Sequence, residues 1–320
     1  MLLDPYSIVS VVLCEKIILK IFKVSGSFAC NLSTKKKRYV DIFGKLCYYI
    51  KNTKHEVIAM PELPDLENFS KNIFSLVEHK KILSLEVHNS KKIVGDMDKL
   101  KSLCTDSFIS RIFRNGKELY FYLDNGFHFS VHLMLNGRFH FCTKAEISNV
   151  KYKIITLNFE TDECLVVQDF QALCKVSVEP IMDSVPDALS TDFSLDYFLS
   201  KIVSYKKTIK ALLIDQSFVK GIGNAYVDEI LWTAKVDPES IACKIPENIC
   251  DKLYYTIQQV LAEAIVKIEN IAPNIIGGEE RSFLTVHNPN SKSTPDGEEI
   301  LTKKVASKNT YYTSSQILYS

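Results

Sequence analysis

The sequence predicts an α+β protein in which an antiparallel β unit is followed by a helical domain and then by a small β-hairpin appendage. Three observations carry that reading. Residues 108–141 alternate apolar and polar side chains around Asn125-Gly126, a dipeptide suited to the tight turn between antiparallel strands. Beyond Pro180 and Pro186 the spacing of apolar residues changes from two to about 3.6, the repeat of an amphipathic helix. From Gly277 onward the chain is polar, with short strand-like pieces set among turn formers.

Residues 1–59 stand apart. They are rich in Lys, Ile, Tyr and Phe, contain the run Lys35-Lys36-Lys37-Arg38 and show no sustained period, so they are expected to be an extension outside the mature fold. Their apolar stretch, residues 6–14, is about half the length that spans a bilayer, and Asp4 precedes it where a secretion signal would carry basic residues. Neither a membrane span nor a secreted protein is expected.

From Met60 the pattern sharpens. Leu66, Phe69, Ile73, Phe74 and Val77 recur at helical spacing after a proline-bounded start. Strand-like runs follow at 82–88, 108–141, 152–160 and 163–170, with Leu135-Asn136-Gly137 marking a second turn. Helical periods cover 194–215, 227–236 and 248–271, and the tail offers 282–288, 300–307 and 309–315 as extended pieces. The resulting domains are 60–185, 190–276 and 277–320.

Charge and cysteine content narrow the chemistry. The net charge of +1 is uneven: ten Lys/Arg against four Asp/Glu before residue 60 leave 29 against 34 in the rest. A phosphate-binding site on the main body must therefore be a focused patch rather than a basic surface. Nine cysteines are scattered singly with no CxxC pair, which argues against a disulfide framework and a sequence-local zinc site and for reduced thiols in a cytosolic protein.

Four segments carry a resemblance. MPELPDLENF at 60–69 is similar to the amino terminus of the formamidopyrimidine-DNA glycosylase and endonuclease VIII family. RNGKELYF at 114–121 resembles the family's lysine-bearing turn, HLMLNGRF at 132–139 its histidine-leucine-turn-glycine segment, and residues 209–238 its helix-two-turn-helix element. They occur in family order and cover residues 60–320. The resemblance implies an N-terminal antiparallel β-sandwich with flanking helices, a helix-two-turn-helix domain and a C-terminal β-hairpin finger. It also implies a cytoplasmic or nucleoid-associated monomer that acts on damaged double-stranded DNA, excises oxidised bases and nicks the strand by β,δ-elimination.

Pro61 can be the nucleophile only under one condition, because a proline nitrogen within a chain is an amide with a delocalised lone pair. At a free terminus it is a secondary amine that is partly neutral near pH 8. Attack on the sugar C1′ would expel the base and leave an iminium ion, which acidifies the C2′ proton and permits elimination. The expected start of the mature chain is therefore Pro61; retained residues 1–59 would leave a catalytically inactive DNA-binding homologue. By the same resemblance Glu62 is the general acid/base, with Asp65 as a weaker candidate where glutamate is usual. Lys117 contacts the phosphate beside the lesion.

Within GIGNAYVDE, Gly221 and Gly223 are expected to let backbone N–H groups approach a phosphate, Asn224 to bind the DNA backbone and Glu229 to cap or orient the turn. Lys308 stands where the finger tip usually carries arginine, keeping the charge without the bidentate fork. Leu135 matches the wedge that fills the gap left by a flipped nucleotide. DFQALCK at 169–175 offers Gln171 and Leu173 where arginine and phenylalanine are expected. The finger has Thr313 and Ser314 near positions that are cysteine in zinc-bearing members, so it resembles the zincless type, packed by Phe283, Leu284, Val286, Ile300, Leu301, Val305 and Tyr311.

Overall fold

The computed structural model describes residues 60–320, and the expected extension lies outside them. Pro64 in the first turn, where its missing N–H costs nothing, opens helix α1 (Leu63–Val77). Leu66, Phe69, Ile73 and Val77 form its buried stripe. There follow β1 (Ile82–Val87), β2 (Ile93–Val94), helix α2 (Met97–Cys104), β3 (Ile109–Asn115), β4 (Glu118–Leu123), β5 (His128–His132), β6 (Arg138–Thr143), β7 (Lys153–Phe159), β8 (Glu163–Gln168) and β9 (Lys175–Val178).

Two sheets result, one in the order β1-β7-β8-β6 and the other in the order β2-β9-β5-β4-β3. All pairs are antiparallel except β2 with β9. Leu85, Ile155, Leu157 and Leu165 of the first sheet share one apolar core with Leu119, Phe121, Phe129 and Val131 of the second. The Phe121 and Phe139 rings meet across the layers with centroids 5.9 Å apart, and Phe121 stacks on Phe129 at 4.9 Å. Burying one such ring stabilises the fold by about 1.5–3 kcal/mol. Asn125-Gly126 turns β4 into β5 as expected, whereas Leu135-Asn136-Gly137 leads from β5 in one sheet to β6 in the other.

The helical domain contains α3 (Leu195–Ile202), α4 (Ile209–Leu213), α5 (Asn224–Ala234) and α6 (Glu247–Ile271). The period over 194–215 suggests one helix, but the structure has two. Ser194 caps α3 through Tyr197 N, and Thr208 accepts from Ala211 N to restart the chain as α4. Such caps compete with helix continuation and favour a fresh start. Phe198, Ile202, Leu212, Phe218, Ile230, Leu253 and Ile257 build this second core. Asn68 and Asn72 of α1 tie the two domains by donating to the carbonyls of Ile265 and Ile275 at 3.1 and 2.8 Å.

The tail forms the hairpin β10 (Leu301–Val305) and β11 (Lys308–Tyr312). Ala306 and Ser307 both have positive φ, the two-residue turn whose twist matches a hairpin. Two expectations need correction here. Residues 282–288 are not a strand, because the N–H groups of Thr285, Val286 and His287 all donate to Glu229 instead of a neighbouring strand. Of the seven apolar residues expected to pack the finger, Leu284, Val286 and Val305 are buried; the other four are only partly covered. No described helix is long and apolar enough to cross a membrane.

Candidate active site

The first residues of the sandwich domain are docked onto the N-terminus of α5. Leu63 N–H donates to Gly221 O at 3.2 Å, and the buried Glu62 carboxylate accepts from Ala225 N at 3.0 Å and Tyr226 N at 3.3 Å. A helix N-terminus presents unpaired N–H groups and a partial positive charge, both of which suit a carboxylate. Gly223 is required for this approach, since a Cβ there would lie 2.2 Å from Glu62 Cδ. Gly221 has φ +99°, and a Cβ on it would stand 2.6 Å from Leu63 Cδ1. The glycines therefore make room for the chain's own Glu62 and Leu63, a close approach that the sequence alone does not reveal.

Pro61 is buried between Glu62 and Met60, whose Sδ is 4.0 Å from Lys117 Nζ. Asp65 accepts the Glu62 N–H at 2.9 Å and receives both Arg281 nitrogens, at 2.8 and 2.6 Å. Arg281 also stacks over the Tyr226 ring and donates to its hydroxyl at 3.1 Å. Burial raises the Asp65 pKa, and the Arg281 charge opposes that shift. Asp65 is thus a brace for the start of the chain, paired to an arginine that no motif in the sequence points to. Glu279, beside Arg281, has its pKa pushed up to about 7 by burial against the arginine's pull.

Lys117 lies in the β3–β4 turn and lines a cavity of about 360 Å³ with Glu118, Tyr120, His132, Gln216 and Lys220. Burial lowers its pKa; Glu62 opposes this, while Lys308 and Arg281 reinforce it, so three charged groups from separate segments act on one lysine. His132 was overlooked in the sequence. Burial, aided by Lys117, lowers its pKa to about 4, so the ring is neutral near pH 7. Its Nδ1 accepts from Met134 N at 3.0 Å, which fixes the proton on Nε2 and makes that nitrogen a donor.

Asn224 opens α5 and donates to Asn309 O at 3.1 Å, which ties it to the finger turn beside the exposed Lys308. Behind them lies a buried network. Lys210 of α4 and Asp228 of α5, both fully buried, pair at 2.6 Å. Asp228 also accepts from Tyr311 N at 3.1 Å and contacts His287 Nδ1 at 2.8 Å, and Lys210 reaches Asn309 O at 3.3 Å. Glu229 holds residues 285–287 rather than the glycine turn.

Leu135 is half-buried at the tip of the loop between the sheets, next to Met134 with φ 57°. Asn136 Nδ2 donates to Gln171 Oε1 at 2.8 Å, joining this loop to residues 169–173. Asp169 pins the second loop by accepting from the N–H groups of Gln171, Leu173 and Cys174. Phe170, exposed at 46%, projects from it. The site therefore brings Pro61, Glu62, Lys117, Asn224 and Lys308 to one side of the junction, with Leu135 on a loop of its own.

Comparison with known proteins defines the class first. The N-terminal domain model of formamidopyrimidine-DNA glycosylase matches residues 60–176, and that enzyme's H2TH domain model matches 185–272, so the two bodies that meet at Glu62 are those of a DNA glycosylase. The formamidopyrimidine-DNA glycosylase of Desulforamulus reducens is 28% identical over 285 residues, covering 80% of this chain and 98% of the relative. That of Oceanobacillus iheyensis is 32% identical over 217 residues, covering 64% and 77%. A Lactococcus lactis Fpg crystallised with abasic-site DNA is 26% identical with a TM-score of 0.71, covering 79% of this chain and 98% of that one. A point mutant of the same enzyme in complex with Fapy-dG DNA also gives a TM-score of 0.71 at 27% identity, with 79% and 98% covered. The chain belongs to the formamidopyrimidine-DNA glycosylase and endonuclease VIII family, DNA-binding glycosylases of base excision repair.

Proposed function

We propose that the chain is a bifunctional DNA glycosylase and abasic-site lyase that acts as a monomer on oxidised bases in damaged double-stranded DNA, with the ring nitrogen of Pro61 as nucleophile once Pro61 begins the chain. The observation that carries this reading is the docking of Glu62. It fixes the residue after Pro61 at the junction of the two domains, where Met60 Sδ lies 4.0 Å from Lys117 Nζ and where Glu62 and Lys308 both act on the Lys117 charge. The start of the family match at residue 60 supports the same mature terminus.

The free amine attacks C1′, the base leaves, and the Schiff base so formed draws electrons from C2′ until the flanking phosphates are eliminated. Glu62, fixed by two N–H donors, moves protons between the amine and the sugar. Lys117, the Nε2–H of His132, Asn224 and Lys308 hold backbone phosphate, and Leu135 fills the space a flipped nucleotide vacates.

The finger works without zinc. Zinc would need thiolates or imidazoles at fixed spacing, and no cysteine follows Cys250 in the sequence. Thr313 and Gln316 are instead bonded to each other and to the chain, with Thr313 N donating to Gln316 Oε1 at 2.8 Å and Gln316 Nε2 to Val236 O at 2.8 Å. Those groups do not fit the metal.

Borohydride trapping on abasic-site DNA tests the proposal. A chain beginning at Pro61 is expected to form a covalent protein–DNA adduct, and the chain that retains residues 1–59 is expected to form none. DNA binding by the trimmed chain with no adduct would favour the inactive homologue instead.

A further inference from the structure

Strand β6 leads out of the loop that carries Leu135, and β8 leads into the loop pinned by Asp169; at their far ends the same two strands bring a pair of thiols together. Cys142 and Cys164 are direct partners in the antiparallel register. Their side chains therefore leave the sheet on one face, and the two Sγ atoms stand 3.7 Å apart. Directly opposed residues of antiparallel strands have Cα atoms about 4.5–5.5 Å apart, inside the range a disulfide spans. Cys164 is fully buried and its thiol donates to Cys142 O at 3.3 Å, whereas Cys142 is half-exposed. No other two sulfurs are hydrogen-bonded to each other among the described residues.

We propose that Cys142 and Cys164 form a redox modification site at which a peroxide converts two thiols into an intrachain disulfide. Cys142 is the sulfur an oxidant meets first. Its thiolate takes one oxygen from hydrogen peroxide, giving a sulfenic acid and releasing hydroxide that is protonated to water. The Cys164 sulfur then attacks the oxidised sulfur; the S–S bond forms, the S–O bond breaks, and the departing hydroxide takes up the Cys164 proton as a second water. Two thiols and one peroxide thus become one disulfide and two waters. Burial, followed by the hydrogen bond from Cys142, raises the Cys164 thiol pKa, so this second step is slow near neutral pH.

The consequence follows from the sheet order. β6 is an edge strand whose one partner is β8, and it carries the loop with Leu135. A bond between residues 142 and 164 ties that edge covalently to the strand leading to residues 169–173.

The test uses the full chain and does not depend on the glycosylase reading. The protein is exposed to hydrogen peroxide, the remaining thiols are alkylated, and peptides are mapped without reductant. A peptide pair joining Cys142 to Cys164, two hydrogens lighter than the dithiol and separated by dithiothreitol, is expected, together with a Tm higher by roughly 5 °C. In Cys142→Ser the bridged pair is expected to vanish while Cys164 stays a thiol. The inference is overturned if both cysteines stay reduced, if Cys142 proceeds to sulfinic acid beside an unmodified Cys164, or if either is bridged to a different cysteine.

Discussion

Two hairpins carry Lys117 and Lys308, whose charges act on each other, and they are held by opposite means. Lys117 stands on β3–β4, where Leu119 and Phe121 are buried against Phe129 and Val131 in the sandwich core. Lys308 stands on β10–β11, whose buried residues are Val305 and Thr310. The second hairpin takes its position from the hydrogen-bonded network of Lys210, Asp228 and His287 and from backbone bonds at Asn309 and Tyr311. An apolar hairpin keeps its place through many weak contacts; the finger depends on a few polar groups that must all be satisfied at once.

The largest effect that sharpens this contrast should come from Asp228→Ala. It strands the Lys210 ammonium in the interior, and an uncompensated buried charge costs about 3–5 kcal/mol. Urea denaturation is expected to register that loss along with weakened DNA binding; a loss no greater than that of an exposed ion pair would break the comparison.

The two regions should also differ in pH response. Glu279, with its pKa raised to about 7, contributes stability that is present below about 4.5 and lost as pH rises through 7. His132, lowered to about 4, does the reverse: its contribution is present above about 6.5 and lost as pH falls toward 4. Glu279→Gln is expected to flatten the alkaline decline by about 1–3 kcal/mol and leave the acid limb as it is. An unchanged profile between pH 4.5 and 7 would remove Glu279 from the account.

Phe129→Leu, a near-conservative change in a core of many contacts, is expected to cost about 1 kcal/mol in thermal unfolding without altering DNA affinity. Lys308→Ala should cost least in stability. Its signature is a salt dependence of DNA binding whose slope is shallower by about one, and an unaltered slope would mean that the finger lysine does not meet phosphate.

Much of the sandwich was legible because burial leaves a period in the sequence. Strand alternation and Asn125-Gly126 marked its hairpins, and helical spacing marked α1. Helix α2 left no such trace, since only Leu100 and Cys104 of its eight residues are buried. The break between α3 and α4 turns on one side-chain cap, Thr208, within an unbroken helical period. At the site, Glu62, Lys117, Asn224 and Lys308 are singled out by motif likeness. Arg281, Lys210 and Asp228 are not, because each depends on a partner that only the fold brings close, Asp65 being 216 residues from Arg281; His132 lies inside HLMLNGRF, but its neutral state comes from burial, which no local pattern shows. GIGN is recognisable as a motif, but nothing local reveals that Glu62 packs against Gly223 and Leu63 against Gly221.

The seating of Glu62 on α5 has one more consequence. Glu62 belongs to the first domain and its two N–H donors to the second, so one carboxylate adds to the ties that Asn68 and Asn72 make between the two bodies. Any motion that widens the junction at α5 withdraws this carboxylate from both of its N–H donors at once.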